Sequence, residues 1–136
     1  MTNAEMKLRE LVMLRSRLTN TLSAESESEL LELAVAQLNI PLRQAEGIIV
    51  STAEGASFEV ESEIDRVALA MIAALAGSSR TIQYADFEIV VGFYSEKLKM
   101  APGLAQKQIK SLVEKLEVQP RRSFPFWSAR WFRSIR

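Results

Sequence analysis

Hydrophobic residues recur at helical spacing along almost the whole chain. In residues 4–17, Leu8, Leu11 and Val12 fall on one side of a helix, and charged residues fall opposite. The same periodicity covers residues 23–38, 41–55, 60–76, 81–99 and 102–116, approximately. The pattern predicts an all-α protein, a bundle of six to seven helices with the apolar run 67–76 at its centre.

Capping and turn residues mark where these helices begin. Ser23 precedes a run of acids, so its hydroxyl can accept from the first N–H groups while the acids suit the positive end of the helix dipole. Pro41 and Pro102 open helices at a position where a missing N–H leaves no bond unmade. Residues 81–99 are the least regular segment. Their β-branched residues and Gly92 leave a strand over residues 81–94 as the alternative to a helix.

The chain also repeats its own pattern at an offset of 60 residues. The register aligns helix starts near Ser23 and Thr81 and helix breaks at Pro41 and Pro102. It also aligns apolar pairs, among them Leu8 and Ala68, Val12 and Ile72, Leu22 and Ile82, Leu30 and Val90, and Ile49 and Ile109. The repeat predicts two similar three-helix units. The alternative is a single bundle whose helices share their spacing by chance.

A basic, aromatic segment ends the chain and predicts a division into a helical domain, residues 1–118, and a tail, residues 119–136. The tail holds both tryptophans, three of the six phenylalanines and five arginines, and it has no acid. Wound as a helix, it gathers aromatic residues on one face, with Phe132 flanking that face and the arginines elsewhere. The candidate contact residues are Phe124, Trp127, Arg130, Trp131, Arg133 and Arg136.

These tail aromatics have three possible destinations: the protein's own core, a groove of a partner, or a membrane surface. Tryptophan and arginine together are typical both of interaction hot spots and of helices that lie in a lipid headgroup zone. We therefore expect a non-catalytic helical interaction or adaptor module. Trp127 and Trp131 would anchor the contact, while the arginines select an acidic partner protein or, alternatively, an anionic membrane surface.

Charge is balanced overall but unevenly placed. Residues 23–65 hold ten acids against the single Arg43, whereas the tail carries five positive charges, and the net charge of the whole chain is zero. Either the tail packs on the acidic half of its own chain, or the two regions serve different partners.

Several classes of function are excluded or disfavoured by what the chain lacks. Without cysteine and histidine it has no disulfide, no thiolate nucleophile and no imidazole base, and no glycine-rich phosphate loop is present. We expect no enzyme activity, no cofactor and no metal site.

A helix-turn-helix-like stretch at residues 35–53 lies in the most acidic part of the chain, which argues against binding of nucleic acid. The N-terminus does not read as a signal peptide, and we expect a cytoplasmic protein, with peripheral membrane contact left open.

The two-half layout resembles the TerB-like helical family, named for a tellurite-resistance protein. Its members carry in each half a small residue, Asp-Gly, a spacer, an aliphatic residue and then a Glu four places on, and these acids are held to bind divalent metal. Here residues 79–82 (Ser-Arg-Thr-Ile) and residues 19–22 (Thr-Asn-Thr-Leu) stand where Asp-Gly-spacer-aliphatic would be, and Asp86 and Ser26 take the places of the Glu. The acid-glycine pair is missing from both. The resemblance implies the fold over residues 8–113 and, as the alternative function, a divalent-cation-binding stress-response protein.

Overall fold

The computed structural model describes residues 2–121 and 130–135, which form seven α-helices and four two-residue strands. The helices are α1 (Asn3–Ser16), α2 (Ala24–Ala36), α3 (Leu42–Ala56), α4 (Glu61–Ala76), α5 (Tyr84–Leu98), α6 (Pro102–Lys115) and α7 (Arg130–Arg133). The strands are β1 (Thr21–Leu22), β2 (Glu59–Val60), β3 (Thr81–Ile82) and β4 (Gln119–Pro120), and a 3-10 turn covers Gly77–Ser79. The predicted all-α fold of six to seven helices is confirmed.

The chain divides into two compact units, unit 1 (Met1–Glu63) and unit 2 (Ile64–Arg136). Each unit runs helix, strand, helix, helix, strand, and in each the two strands pair in parallel. Thr21 lies opposite Glu59 in unit 1, and Thr81 lies opposite Gln119 in unit 2. Thr81 and Gln119 lie 60 positions after Thr21 and Glu59, respectively. The repeat predicted from hydrophobic spacing is therefore present in the backbone. The strand β4 falls within the tail segment 119–136 and joins its start to unit 2.

Each unit has its own hydrophobic core, built from equivalent positions. The buried side of each helix consists of the apolar residues that recur at helical spacing, and these positions are apolar in both units. The buried pairs at the 60-residue offset are Leu8 and Ala68, Val12 and Ile72, Leu22 and Ile82, Leu30 and Val90, Ala34 and Tyr94, Ala45 and Ala105, Ile49 and Ile109, Ala53 and Val113, and Phe58 and Val118.

Left-handed backbone conformations recur with the same period. Residues with positive φ lie before the first strand, after the second helix and after the third helix of each unit: Asn20 and Arg80, Asn39 and Lys99, Ser57 and Glu117. None of the six is glycine, although glycine adopts this conformation with least strain. The turns of the two units therefore share the same backbone conformation at these three positions, although their residues differ.

The helix starts agree with the sequence in part. Ser23 caps α2 by accepting from the Ser26 backbone N–H, and Pro102 occupies the first turn of α6. Thr81 is not the cap of α5: it lies in β3, and Gln83 takes the N-cap position without a side-chain bond. Residues 84–98 are helical, so the strand alternative for residues 81–94 is wrong beyond its first two positions.

Candidate interaction surface around α7

The short helix α7 is fixed to unit 2 by its apolar residues. Phe132 is only 7% exposed and belongs to the core of unit 2, and Trp131 and Ile135 pack half-buried against that core. Lys110 on α6 donates from Nζ to the backbone oxygen of Ile135 at 2.9 Å, and its Nζ lies 5.2 Å from the centre of the Phe132 ring. These contacts give α7 a defined position on unit 2.

Four aromatic rings from α5 and α7 form the contact. The Trp131 ring centre lies 5.3 Å from that of Tyr84, 5.2 Å from that of Phe87 and 5.5 Å from that of Phe132. The Phe132 and Phe87 centres are 6.1 Å apart, and most of the pairs meet edge to face. This geometry brings the positive edge of one ring to the negative face of the next. The indole N–H of Trp131 also donates, at 3.4 Å, to the backbone oxygen of Arg121.

Around this cluster lies a rim of exposed groups. Tyr84 is 52% exposed, and Arg121, Arg130 and Arg133 are exposed as well. Within residues 2–121 and 130–135, no acidic side chain forms an ion pair with Arg130 or Arg133. We call the surface formed by Tyr84, Arg121, Arg130, Trp131 and Arg133 the aromatic–arginine surface.

The candidate residues from the sequence divide into two groups. Phe124, Trp127 and Arg136 lie outside the described residues. The other three, Arg130, Trp131 and Arg133, lie together on α7. Phe132, expected to flank the aromatic face, is the most deeply buried of residues 130–135.

Tyr84 was missed by the sequence analysis, although its ring contacts Trp131. Its signal was a large aromatic residue in the first turn of α5, seven positions before the buried Val91 and so on the same side of the helix. The sequence around Tyr84 could not predict this contact, because Trp131 lies about 50 residues further along the chain and an exposed aromatic residue carries no information about such a distant partner.

A second charged region lies in unit 1, at the start of α2. Ser62 donates its hydroxyl to the carboxylate of Glu27 at 3.0 Å, and the carboxylate of Glu61 accepts from the backbone N–H of Ala24 at 3.2 Å. Burial raises the pKa of Glu27. The hydrogen bond from Ser62 acts in the opposite direction, and the charges of Glu63, Glu46 and Glu61 raise the pKa of Glu27 further. The carboxylate of Glu27 is therefore easier to protonate here than in water.

The positions that the TerB resemblance singles out do not form a cation site. Thr19 and Ser79, at the acid positions of the motif, donate their hydroxyls to backbone oxygens, and Arg80, at a glycine position, donates to the Leu116 carbonyl. Asp86 is half-buried in the first turn of α5. In the part of the chain that the structure describes, no three carboxylates converge as metal ligands. A hard cation takes about six or more oxygen ligands, so this donor set does not fit one.

Among the helices of the described ranges, none combines the length and apolar character that crossing a bilayer requires. Comparison of the chain with protein-family models, with curated proteins and with solved structures gives no match.

Proposed function

We propose that this protein is a non-catalytic interaction module that binds an acidic partner protein through the aromatic–arginine surface of unit 2. The observation that carries the proposal is that the apolar and the basic side chains of α7 have different roles. Phe132 and Trp131 fasten the helix to unit 2, while Arg130 and Arg133 stay exposed. A segment that is already ordered loses less conformational entropy when a partner binds.

The chemistry of the surface suits carboxylates next to apolar groups. Arginine side chains form two parallel hydrogen bonds with a carboxylate, and tyrosine and tryptophan add apolar contact area with few rotatable bonds. Tyr84 and Trp131 already contact each other, so a partner meets a preformed aromatic edge. Tryptophan, tyrosine and arginine are also the residues most enriched in interaction hot spots.

The distribution of charge between the two units also supports recognition of an acidic partner by unit 2. Unit 2 holds twelve basic and six acidic residues, whereas unit 1 holds five basic and eleven acidic residues. A partner with acidic groups is therefore attracted to unit 2 before contact, which raises the rate of association.

The geometry of α7 favours a protein partner over a membrane surface. A helix that lies on a bilayer inserts its apolar side chains among the lipids. In α7 the apolar side of the helix packs on the core of unit 2 through Trp131, Phe132 and Ile135. Insertion would have to break those contacts, whereas an acidic protein needs only the arginines and the exposed ring edges.

The test compares two double variants that remove the same amount of positive charge. Arg130→Glu with Arg133→Glu changes the proposed surface, and Lys7→Glu with Arg43→Glu changes exposed residues of unit 1. Binding of a fluorescent peptide rich in Glu and Leu is followed by anisotropy, and co-sedimentation with vesicles containing phosphatidylserine is measured in parallel. Loss of two charge-assisted contacts predicts peptide binding at least about tenfold weaker for the α7 variant only.

Two outcomes contradict the proposal. Equal peptide affinity in the α7 variant and the wild type would remove the arginines from the contact. Binding to vesicles but not to the peptide would favour the membrane surface. A chain stopped at Gln119 is a poorer test, because it also removes Phe132 and Trp131 from the core of unit 2.

A further inference from the structure

The outward side of α1 carries large apolar side chains that lie outside the core of unit 1. Met6, Met13 and Leu14 are 49%, 44% and 59% exposed. They lie on the side of the helix opposite the buried Leu8 and Val12, because residues seven or eight positions apart point in nearly the same direction. Single exposed apolar residues are ordinary in proteins, whereas several that form one stripe are candidates for a contact surface.

Two opposite charges lie along the middle of this stripe. Glu10 and Arg17 are exposed and seven residues apart, so both point outward, about one turn to either side of Met13 and Leu14. All four side chains, with Met6, border the same open depression of the surface. In the described ranges 2–121 and 130–135, no side chain forms an ion pair with Glu10 or Arg17. We call the surface formed by Met6, Glu10, Met13, Leu14 and Arg17 the α1 face.

The internal repeat shows that the helical unit can be built without large apolar groups at these places. Sixty residues further along the chain, α4 has Ala73 and Ala74 at the positions of Met13 and Leu14, and both alanines are exposed as well. Unit 2 therefore forms the equivalent helix with small residues on its outward side. Contact with another molecule accounts for the larger side chains of the α1 face.

The α1 face is complementary to itself. The midpoint between Met13 and Leu14 is also the midpoint between Glu10 and Arg17, which lie about 5 Å from it along the helix axis. Two antiparallel copies of α1 that cross at this midpoint bring Glu10 of each copy level with Arg17 of the other. Met13 of each copy then lies level with Leu14 of the other. Two ion pairs enclose four apolar side chains, whereas parallel helices would set like charges against each other.

We infer that the protein forms a twofold-symmetric homodimer through the α1 face, with the two α1 helices antiparallel. A twofold interface uses the same patch on both subunits, so a face whose charges match under this operation fits a second copy of the chain. A partner surface with a single sign of charge would leave either Glu10 or Arg17 opposite a like charge. The α1 face shares no residue with the aromatic–arginine surface, so the two assignments stand or fall separately.

Sedimentation velocity of the full chain measures self-association, from about 5 to 500 µM because an interface of one helix face is small. For the wild type we expect a sedimentation coefficient that rises with concentration. Glu10→Arg and Arg17→Glu each set like charges level with one another, so each should weaken the dimer at least about tenfold. The matched control is Glu32→Arg, the same change at an exposed position of α2, which should stay within about twofold of the wild type.

Mixing the two charge variants identifies the occupant. One Glu10→Arg chain and one Arg17→Glu chain again bring opposite charges level, so an equimolar mixture should associate more strongly than either variant alone. The chain with both exchanges should dimerise to within about threefold of the wild type.

Leu14→Gln tests the apolar contact independently of the charges. It should weaken the dimer at least about fivefold, since the apolar centre of the contact loses a leucine. Leu104→Gln, at a 48% exposed leucine of α6, is its control and should have no such effect. Circular dichroism checks the fold of every variant, and Leu14→Gln keeps the test decisive if a charge variant does not fold.

Three results would overturn the inference. A wild type that stays monomeric over the whole range would exclude a second copy and leave the α1 face to a different protein. Self-association that both charge variants retain would place the dimer contact elsewhere on the chain. A mixture that associates no better than its components, or an equal loss in Glu32→Arg, would show that pairing of Glu10 with Arg17 does not hold the dimer.

Discussion

Replacing Phe132 by alanine measures how firmly α7 is held on unit 2. Phe132 is 7% exposed, its ring meets those of Phe87 and Trp131 edge to face, and Lys110 lies over it. The variant removes nearly the whole buried side chain, and Phe87 and Trp131 lose their contacts with its ring.

The magnitude follows from these contacts. Burying a phenylalanine contributes about 1.5–3 kcal/mol, and an edge-to-face aromatic pair adds about 0.5–1.5 kcal/mol. Phenylalanine-to-alanine changes in rigid cores lower stability by about 3–5 kcal/mol. Because α7 comprises only Arg130–Arg133, it can detach before the rest of unit 2 unfolds, and the loss cannot exceed the free energy of its docking. We therefore expect unit 2 to lose about 2–3 kcal/mol.

Urea denaturation followed by tryptophan fluorescence tests this value, since both tryptophans belong to unit 2. The control is Leu104→Ala on α6, a 48% exposed leucine whose loss should change stability by less than about 0.5 kcal/mol. If Phe132→Ala is no more destabilising than this control, α7 is not anchored. Arg130 and Arg133 would then not be held in an ordered segment on unit 2, and the entropic advantage proposed for partner binding would be lost.

Two further changes test the charge and backbone interpretations. Glu27→Gln should raise the free energy of unfolding at pH 7 by about 0.5 kcal/mol, because it removes a charge that burial and neighbouring carboxylates disfavour. The amide oxygen of the glutamine can still accept the hydrogen bond from Ser62. The pKa of Glu27 is higher in the folded state than the ordinary value of 4.5, so its contribution is greatest below pH 4.5 and is lost as the pH rises through the folded pKa. The gain from the variant should accordingly vanish in urea titrations below pH 4.5, and a gain of the same size in the exposed control Glu32→Gln would contradict the reasoning. Lys99→Gly should stabilise unit 2 by about 0.5–1 kcal/mol, because Lys99 has φ 54° and glycine relieves that strain at a smaller cost in unfolded-state entropy. Thermal melts should show a higher melting midpoint for Lys99→Gly than for the wild type. The control Lys107→Gly should melt at a lower temperature, because glycine inside α6 weakens the helix by about 1 kcal/mol. A lower midpoint for both variants would refute the strain at Lys99.

Periodicity predicted most of the fold because helices carry their packing information locally. The apolar face of a helix repeats every three to four residues, so positions such as Leu8 and Val12 could be assigned to a core without knowing their partners. The repeat followed for the same reason, since equivalent faces recur at a fixed offset. The strands could not be predicted: β1 to β4 have two residues each, too few to show alternation, and each pairs with a segment far along the chain.

The candidate site was harder to predict than the fold, and for a different physical reason. An aromatic residue beside arginines has the same sequence pattern whether it packs on its own unit or on a partner. Phe132 and Trp131 lie against unit 2 because Phe87 and Tyr84 present rings at the matching place, a pairing across about 45 residues of sequence.

The short parallel ladders have a consequence for how each unit folds. In unit 2, the ladder bonds join the Gln119 N–H to Arg80 and the Arg121 N–H to Ile82, at 2.9 and 2.8 Å, and they close a loop of about 40 residues. Closing such a loop costs about 3 kcal/mol of chain entropy, more than two backbone bonds return at about 1 kcal/mol each. The ladder therefore forms only after the three helices have assembled and brought its two strands together.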